Sequence, residues 1–119
     1  MKRMILAVIF ILALAVTAQA ASNVTFAWNA STGATGYKVY QSTTSGTYNK
    51  TTGMVCNTPS LTCTVNNIAD GTYFWVATAY DNSGNESEYS NEVTATLDST
   101  SPNAPAGFKI TVTVNVNIQ

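Results

Sequence analysis

From Asn23 onward, apolar side chains recur at every second position, in short runs broken by turn-forming residues. No run repeats at 3.6 residues, so the pattern predicts strands and no helices. "VTFAW" places Val24, Phe26 and Trp28 on one face, and "GYKVYQ" places Tyr37 and Val39 opposite Lys38 and Tyr40. "SLTCTV" sets Leu61, Cys63 and Val65 against Thr62 and Thr64, and "NEVTATL" points Val93, Ala95 and Leu97 inward. In "TYFWVATAYD" neither face is polar, which predicts a strand central to its sheet. Turns are expected at "NASTGATG", "TTSGTYNKTTG", "ADG" and "DNSGNES", where Gly, Asn, Asp and Ser supply the conformations and local hydrogen bonds a turn needs. The last run, "ITVTVNVNIQ", alternates most strictly of all, and a strand with one oily face must bury that face against something.

The first twenty residues have a different character. Lys2 and Arg3 precede an apolar run from Ile5 to Val16 and small residues at Ala18 and Ala20. This is the pattern of a secretory signal peptide, with cleavage expected between Ala20 and Ala21. The rival, an uncleaved anchor, would have to span a bilayer with a run that is short for the task. Cleavage leaves 99 residues, enough for one modest core. Against Lys38, Lys50 and Lys109 stand six carboxylates, Asp70, Asp81, Glu86, Glu88, Glu92 and Asp98, for a net charge of −3. Without Arg and with scattered Lys, the mature chain has no footprint for nucleic acid or for an anionic membrane. The expected location is extracytoplasmic, in the periplasm or at the cell surface.

Cys56 and Cys63 are an even pair in an exported chain, so a disulfide is expected. Asn57, Pro59 and Ser60 between them suit a hairpin-like connection, in which the bond would pin a local turn. A zinc site is the rival, and two thiols with no His in the chain serve it poorly. The absence of His also removes the commonest general base, and no nucleophile-elbow, P-loop or zincin motif occurs. Glu86, Glu88 and Glu92 are the close carboxylates, expected as surface charges. Asp81, Ser83, Asn85 and Glu86 carry calcium-type oxygens, but Gly84 is misplaced for an EF-hand and a tight turn accounts for them. No catalytic residue, cofactor or metal is therefore expected, and the chain reads as a non-enzyme.

"VTFAWNAS", "TGYKVYQS" and "IADGTYFWVATAYDNSGNESEYSNEV" follow one another in the order found in fibronectin type III domains, and the chain resembles the bacterial secreted variety of that family from about residue 23 to 98. The resemblance implies a seven-stranded antiparallel β-sandwich of the immunoglobulin-like kind, with three strands facing four. Trp28 matches the family's core tryptophan, and Tyr73 its tyrosine corner, whose hydroxyl ties a strand connection to the backbone. One departure stands out. The family's first strand should precede Trp28 by ten or more residues, and cleavage would leave only "ASNVTFA". A segment resembling that first strand stands instead at the other end, as "SPNAPAGFKITVTV".

The chain thus divides into a signal peptide (1–20), a sandwich (21–98), a Pro-rich linker (99–107) and a terminal strand (108–119) carrying Phe108, Ile110, Val112, Val114, Val116 and Ile118 on one face. Three fates are open to that strand. It inserts into its own sandwich, though the linker's ten extended steps reach at most ~33 Å. It is donated head-to-tail to another copy, as in donor-strand complementation. Or it frays. Pairing within the chain is the leading expectation, donation the second. The functional expectation is a secreted structural, adhesive or self-assembling module, with itself or another surface protein as partner. The alternative is a polysaccharide-binding module that stacks sugars on Tyr40, Tyr80 and Tyr89 of the four-stranded sheet.

Overall fold

The computed structural model describes residues 21–117, so the proposed signal peptide and Ile118 lie outside the described residues. Six strands form, all antiparallel: β1 (Ala21–Ala27), β2 (Gly36–Ser42), β3 (Met54–Thr58), β4 (Thr62–Ala69), β5 (Gly71–Tyr80) and β6 (Val93–Leu97). β1 pairs with β4 in one sheet, and the other runs in the order β3-β2-β5-β6. β5 lies between β2 and β6, as its two apolar faces demand. β3 was not legible as a strand of its own, because Asn57 and Thr58 blur its alternation.

The two sheets meet through Val39 of β2, Ile68 of β4 and Trp75 of β5, all buried. Phe26 packs on Trp75 with ring centroids 5.2 Å apart, and Trp28 packs on Tyr37 at 5.5 Å. The Tyr73 hydroxyl donates to the Ala69 carbonyl at 2.8 Å, fixing the turn from β4 to β5 as the tyrosine corner anticipates. Ile68 reaches the core through a bulge. Asn66 and Asn67 both stand opposite Asn23, Asn67 adopts a positive φ of 60°, and its N–H donates to the Asn23 side-chain oxygen at 3.1 Å. The extra residue shifts the face by one, so Cys63 and Val65 are followed inward by Ile68 where simple alternation would place Asn67.

Two expectations change. Cys56 and Cys63 are bonded, but Cys56 lies on β3 and Cys63 on β4, strands of different sheets. Residues 59–61 form a crossover between sheets and not a hairpin, so a seven-residue separation ties the two layers together covalently. Second, the resemblance implies seven strands, and six form among the described residues. From Asp98 to Asn117 the chain joins no sheet and is exposed throughout. The leading expectation, pairing within the chain, is not what the structure shows. The cause lies in where β6 ends: Leu97 stands opposite Gly71, at the same pole as Ala21, which stands opposite Ala69. To run antiparallel to β1, the segment would first have to recross the sandwich.

Replacing both Cys56 and Cys63 by Ala should lower the unfolding free energy by about 2.5 kcal/mol, the closure entropy of so short a loop. Urea denaturation of oxidised and variant protein measures it, and a loss under about 1 kcal/mol would show that the sheets need no covalent tie.

Candidate functional site

Two surfaces carry the residues singled out above. The first is the outer face of the four-stranded sheet, where β2 presents Lys38 and Tyr40 and β5 presents Val76, Thr78 and Tyr80. This face is covered. The loop 43–53 and the segment 81–92 fold over it, and Tyr40, at 1% exposure, is among the most buried residues in the protein. Tyr89 packs edge-on against Tyr40 at 6.1 Å and against Tyr48 at 5.5 Å. Lys50 lies over the Tyr89 ring, its Nζ 5.3 Å from the centroid.

Glu86 anchors this cover. The Tyr40 hydroxyl donates to its Oε1 at 2.8 Å, Lys50 Nζ lies 2.9 Å from its Oε2, and Lys38 Nζ approaches within 3.8 Å. Burial pushes the Glu86 carboxyl up, but the hydrogen bonds from Lys50 and Tyr40 and the two ammonium charges outweigh it and hold the group below the usual range. The same contact works in reverse on Tyr40, whose phenol is pushed up to about 12 by burial and then by the carboxylate. Glu92 performs a parallel task, accepting from Ser45 Oγ at 2.7 Å, Gly46 N at 2.9 Å and Tyr48 Oη, and these donors hold its carboxyl low. Glu86 and Glu92 are thus fastened as carboxylates in the cover, and neither is the free surface charge expected of it. No local pattern signals these ties, because the hydrogen-bond partners lie 36 to 47 residues away.

The tyrosines named as a sugar platform are consequently dispersed in role. Tyr40 is buried. Tyr80 donates to Asn57 at 2.6 Å, lies across Gly36, where a Cβ would strike its ring, and has Lys38 Nζ 5.3 Å from its centroid. Tyr89 alone keeps substantial exposure, at 41%. Between Tyr80 and Glu86 the chain makes a tight turn: Asp81 accepts from the N–H groups of Ser83 and Asn85 at 3.0 Å, and Gly84 takes a positive φ of 82°. Beyond it, Ser87 and Ser90 pair with the edge of β5 by backbone and hydroxyl alike, continuing the sheet where β6 does not reach.

The second surface is an aromatic and aliphatic groove rimmed by Asn29, Ser90 and Asn91. Beside the unpaired edge of β1 runs a groove of about 290 Å³ between Phe26 and Trp28 on one wall and Trp75, Ala77 and Val93 on the other. Val93 faces inward yet is 44% exposed. The Trp28 indole N–H is shielded from solvent and has no hydrogen-bond partner among the described residues. Far from it in sequence, Phe108, Ile110, Val112, Val114 and Val116 are all exposed, Phe108 at 96%.

No family model and no curated protein sequence matches the chain. Among solved structures, the crystal structure of FN3tt is similar, at TM-score 0.50 and 21% identity, covering 62% of this chain and 74% of that one. The fold is that of a fibronectin type III β-sandwich.

Because Glu86 is depressed when folded, both states are ionised above the unfolded value of about 4.3, and its contribution is fully present there. As pH falls below that, the unfolded chain binds its proton first and stability declines. Glu86→Gln should flatten this acid limb in urea titrations between about pH 5 and 3, and a parallel limb would contradict the assignment. Tyr40→Phe should cost about 1.5 kcal/mol at neutral pH. It should also flatten the alkaline limb, since the raised Tyr40 contribution is lost as pH climbs from 10 towards about 12.

Proposed function

We propose that this protein is a secreted, non-enzymatic β-sandwich subunit that assembles with copies of itself through the segment 108–118, building a structural or adhesive array outside the cell. One observation carries the reading: five apolar side chains stand in a row on an extended, unpaired segment that joins neither sheet of the sandwich. Residues 110–119 contain no charge, and nothing else in them discourages pairing. An exposed row of this kind is an aggregation hazard unless a specific partner covers it. The N-terminal pattern of charge, apolar run and Ala-x-Ala supports export. The disulfide is consistent with an oxidising compartment, and no helix among the described residues is long and apolar enough to cross a membrane.

Pro102 and Pro105 keep the linker extended, which holds the segment away from its own domain and presents it to others. A contact between unlike surfaces of identical subunits does not close on itself and so propagates. Tyr40 is buried and Tyr80 engaged, so a sugar platform finds no comparable support.

Light scattering coupled to size exclusion should show mature protein forming oligomers whose mass grows with concentration. Deleting residues 108–119 should leave a folded monomer at every concentration. Full-length protein that stays monomeric to the millimolar range would remove this reading.

A further inference from the structure

We propose that the receptor for the 108–118 segment is the open edge of β1 in a second copy of the chain, with Phe108 seated in the Phe26–Trp28–Trp75–Val93 groove. This rests on the assembly reading above and names the surface that it uses.

A sheet of two strands lies over a sheet of four, so part of the larger sheet's inner face has no cover. The uncovered part lies along the free edge of β1, above β5 and β6. Val93 marks it, being far more exposed than the inward Ala95 and Leu97 that follow it on β6. The edge of β1 offers its backbone N–H and C=O groups to one further strand. It carries no charged side chain from Ala21 to Ala27, as residues 110–119 carry none, so no like-charge pair of side chains opposes any register.

Direction fixes which end goes where. The groove lies at the pole where β1 ends and β6 begins, since its walls include Trp28, Asn29, Asn91 and Val93. The chain leaves the domain at the opposite pole: Leu97 stands opposite Gly71, and Ser99 is tied to Asp70 by its N–H at 3.1 Å and its hydroxyl at 2.6 Å. In a second copy stacked on that pole, a strand continuing in the direction of β6 meets the groove first. It then runs antiparallel to β1 towards Ala21. Phe108, the largest apolar side chain of the segment, meets the 290 Å³ groove, and Ile110 to Val116 follow beside Phe26, Val24 and Ser22. Insertion into the same copy in this direction would first require the chain to descend the length of β1, about 24 Å. Running parallel to β1 avoids the descent, but it puts Phe108 beside Ala21 and leaves the groove for smaller residues.

The test uses the full mature chain with a photo-reactive benzoylphenylalanine in place of Phe108, as a mixture of light and ¹⁵N-labelled copies. Irradiation should give mixed-isotope cross-links from position 108 to peptides containing residues 26–29 or 90–93. Cross-links within one copy, cross-links to β3, or cross-links between two terminal segments would overturn the proposal while leaving assembly intact, as would oligomers that yield no cross-link. Absence of oligomers would instead remove the assembly reading itself. In parallel, Val93→Lys places a charge at the mouth of the groove, at a position exposed enough in the monomer for the fold to tolerate it. It should weaken self-association by about a hundredfold with the melting temperature of the monomer unchanged. Association at undiminished affinity would place the strand elsewhere.

Discussion

The packing of Phe26 and Ile68 onto Trp75 is the contact on which the rest of the structure depends, because it stands at the centre of the core where a two-stranded sheet meets a four-stranded one. Everything else is arranged around the mismatch in width. On the β3 side the layers are joined by the Cys56–Cys63 bond, so that flank is closed covalently. On the β6 side no such tie exists, and the inner face opens into the groove beside β1. A domain of this size buries a smaller fraction of its surface than a large one does, and leaving one strand position vacant thins the core further. Most of the side chains around Val39, Ile68 and Trp75 are accordingly half-buried and not fully enclosed.

The outer face of the larger sheet shows the opposite solution. There the chain supplies its own cover, and polar chemistry holds it in place. Glu86 gathers Tyr40, Lys38 and Lys50, while Glu92 gathers Ser45, Gly46 and Tyr48. Each carboxylate fastens the segment 81–92 to another part of the fold: Glu86 to β2 and Lys50, Glu92 to the loop 43–53. The aromatic rings that looked available for a ligand are used to fill the space beneath. The protein therefore has one face finished by its own loops, and an inner face beside the open edge of β1 that nothing among the described residues finishes.

How far the sequence reached depended on the range of the interaction. Alternation in 24–28, 36–41, 72–81 and 91–97 is a local signal, and strands formed there within a few residues of those bounds. Tyr73 followed from a short motif and makes its hydrogen bond four residues away. Parity along β4 failed at Asn67, since a bulge depends on the partner strand and on the Asn23 side chain. Tyr40 on its outward position read as exposed because alternation reports which face a residue takes, and says nothing of what later covers that face.

The sequence by itself determined the fold class, every strand position but that of β3, the pairing of the two cysteines and the presence of a strand-like segment after a Pro-rich linker, since all of these are written in local periodicity and composition. Tertiary structure alone decided that the disulfide joins two sheets, that Tyr40 is buried beneath a half-buried Glu86, and that residues 110–117 stand outside their own core. The reason is the same in each case. Which layer a strand joins, and at which pole the chain emerges, are set by the order of strands in space, and no window of sequence contains that order.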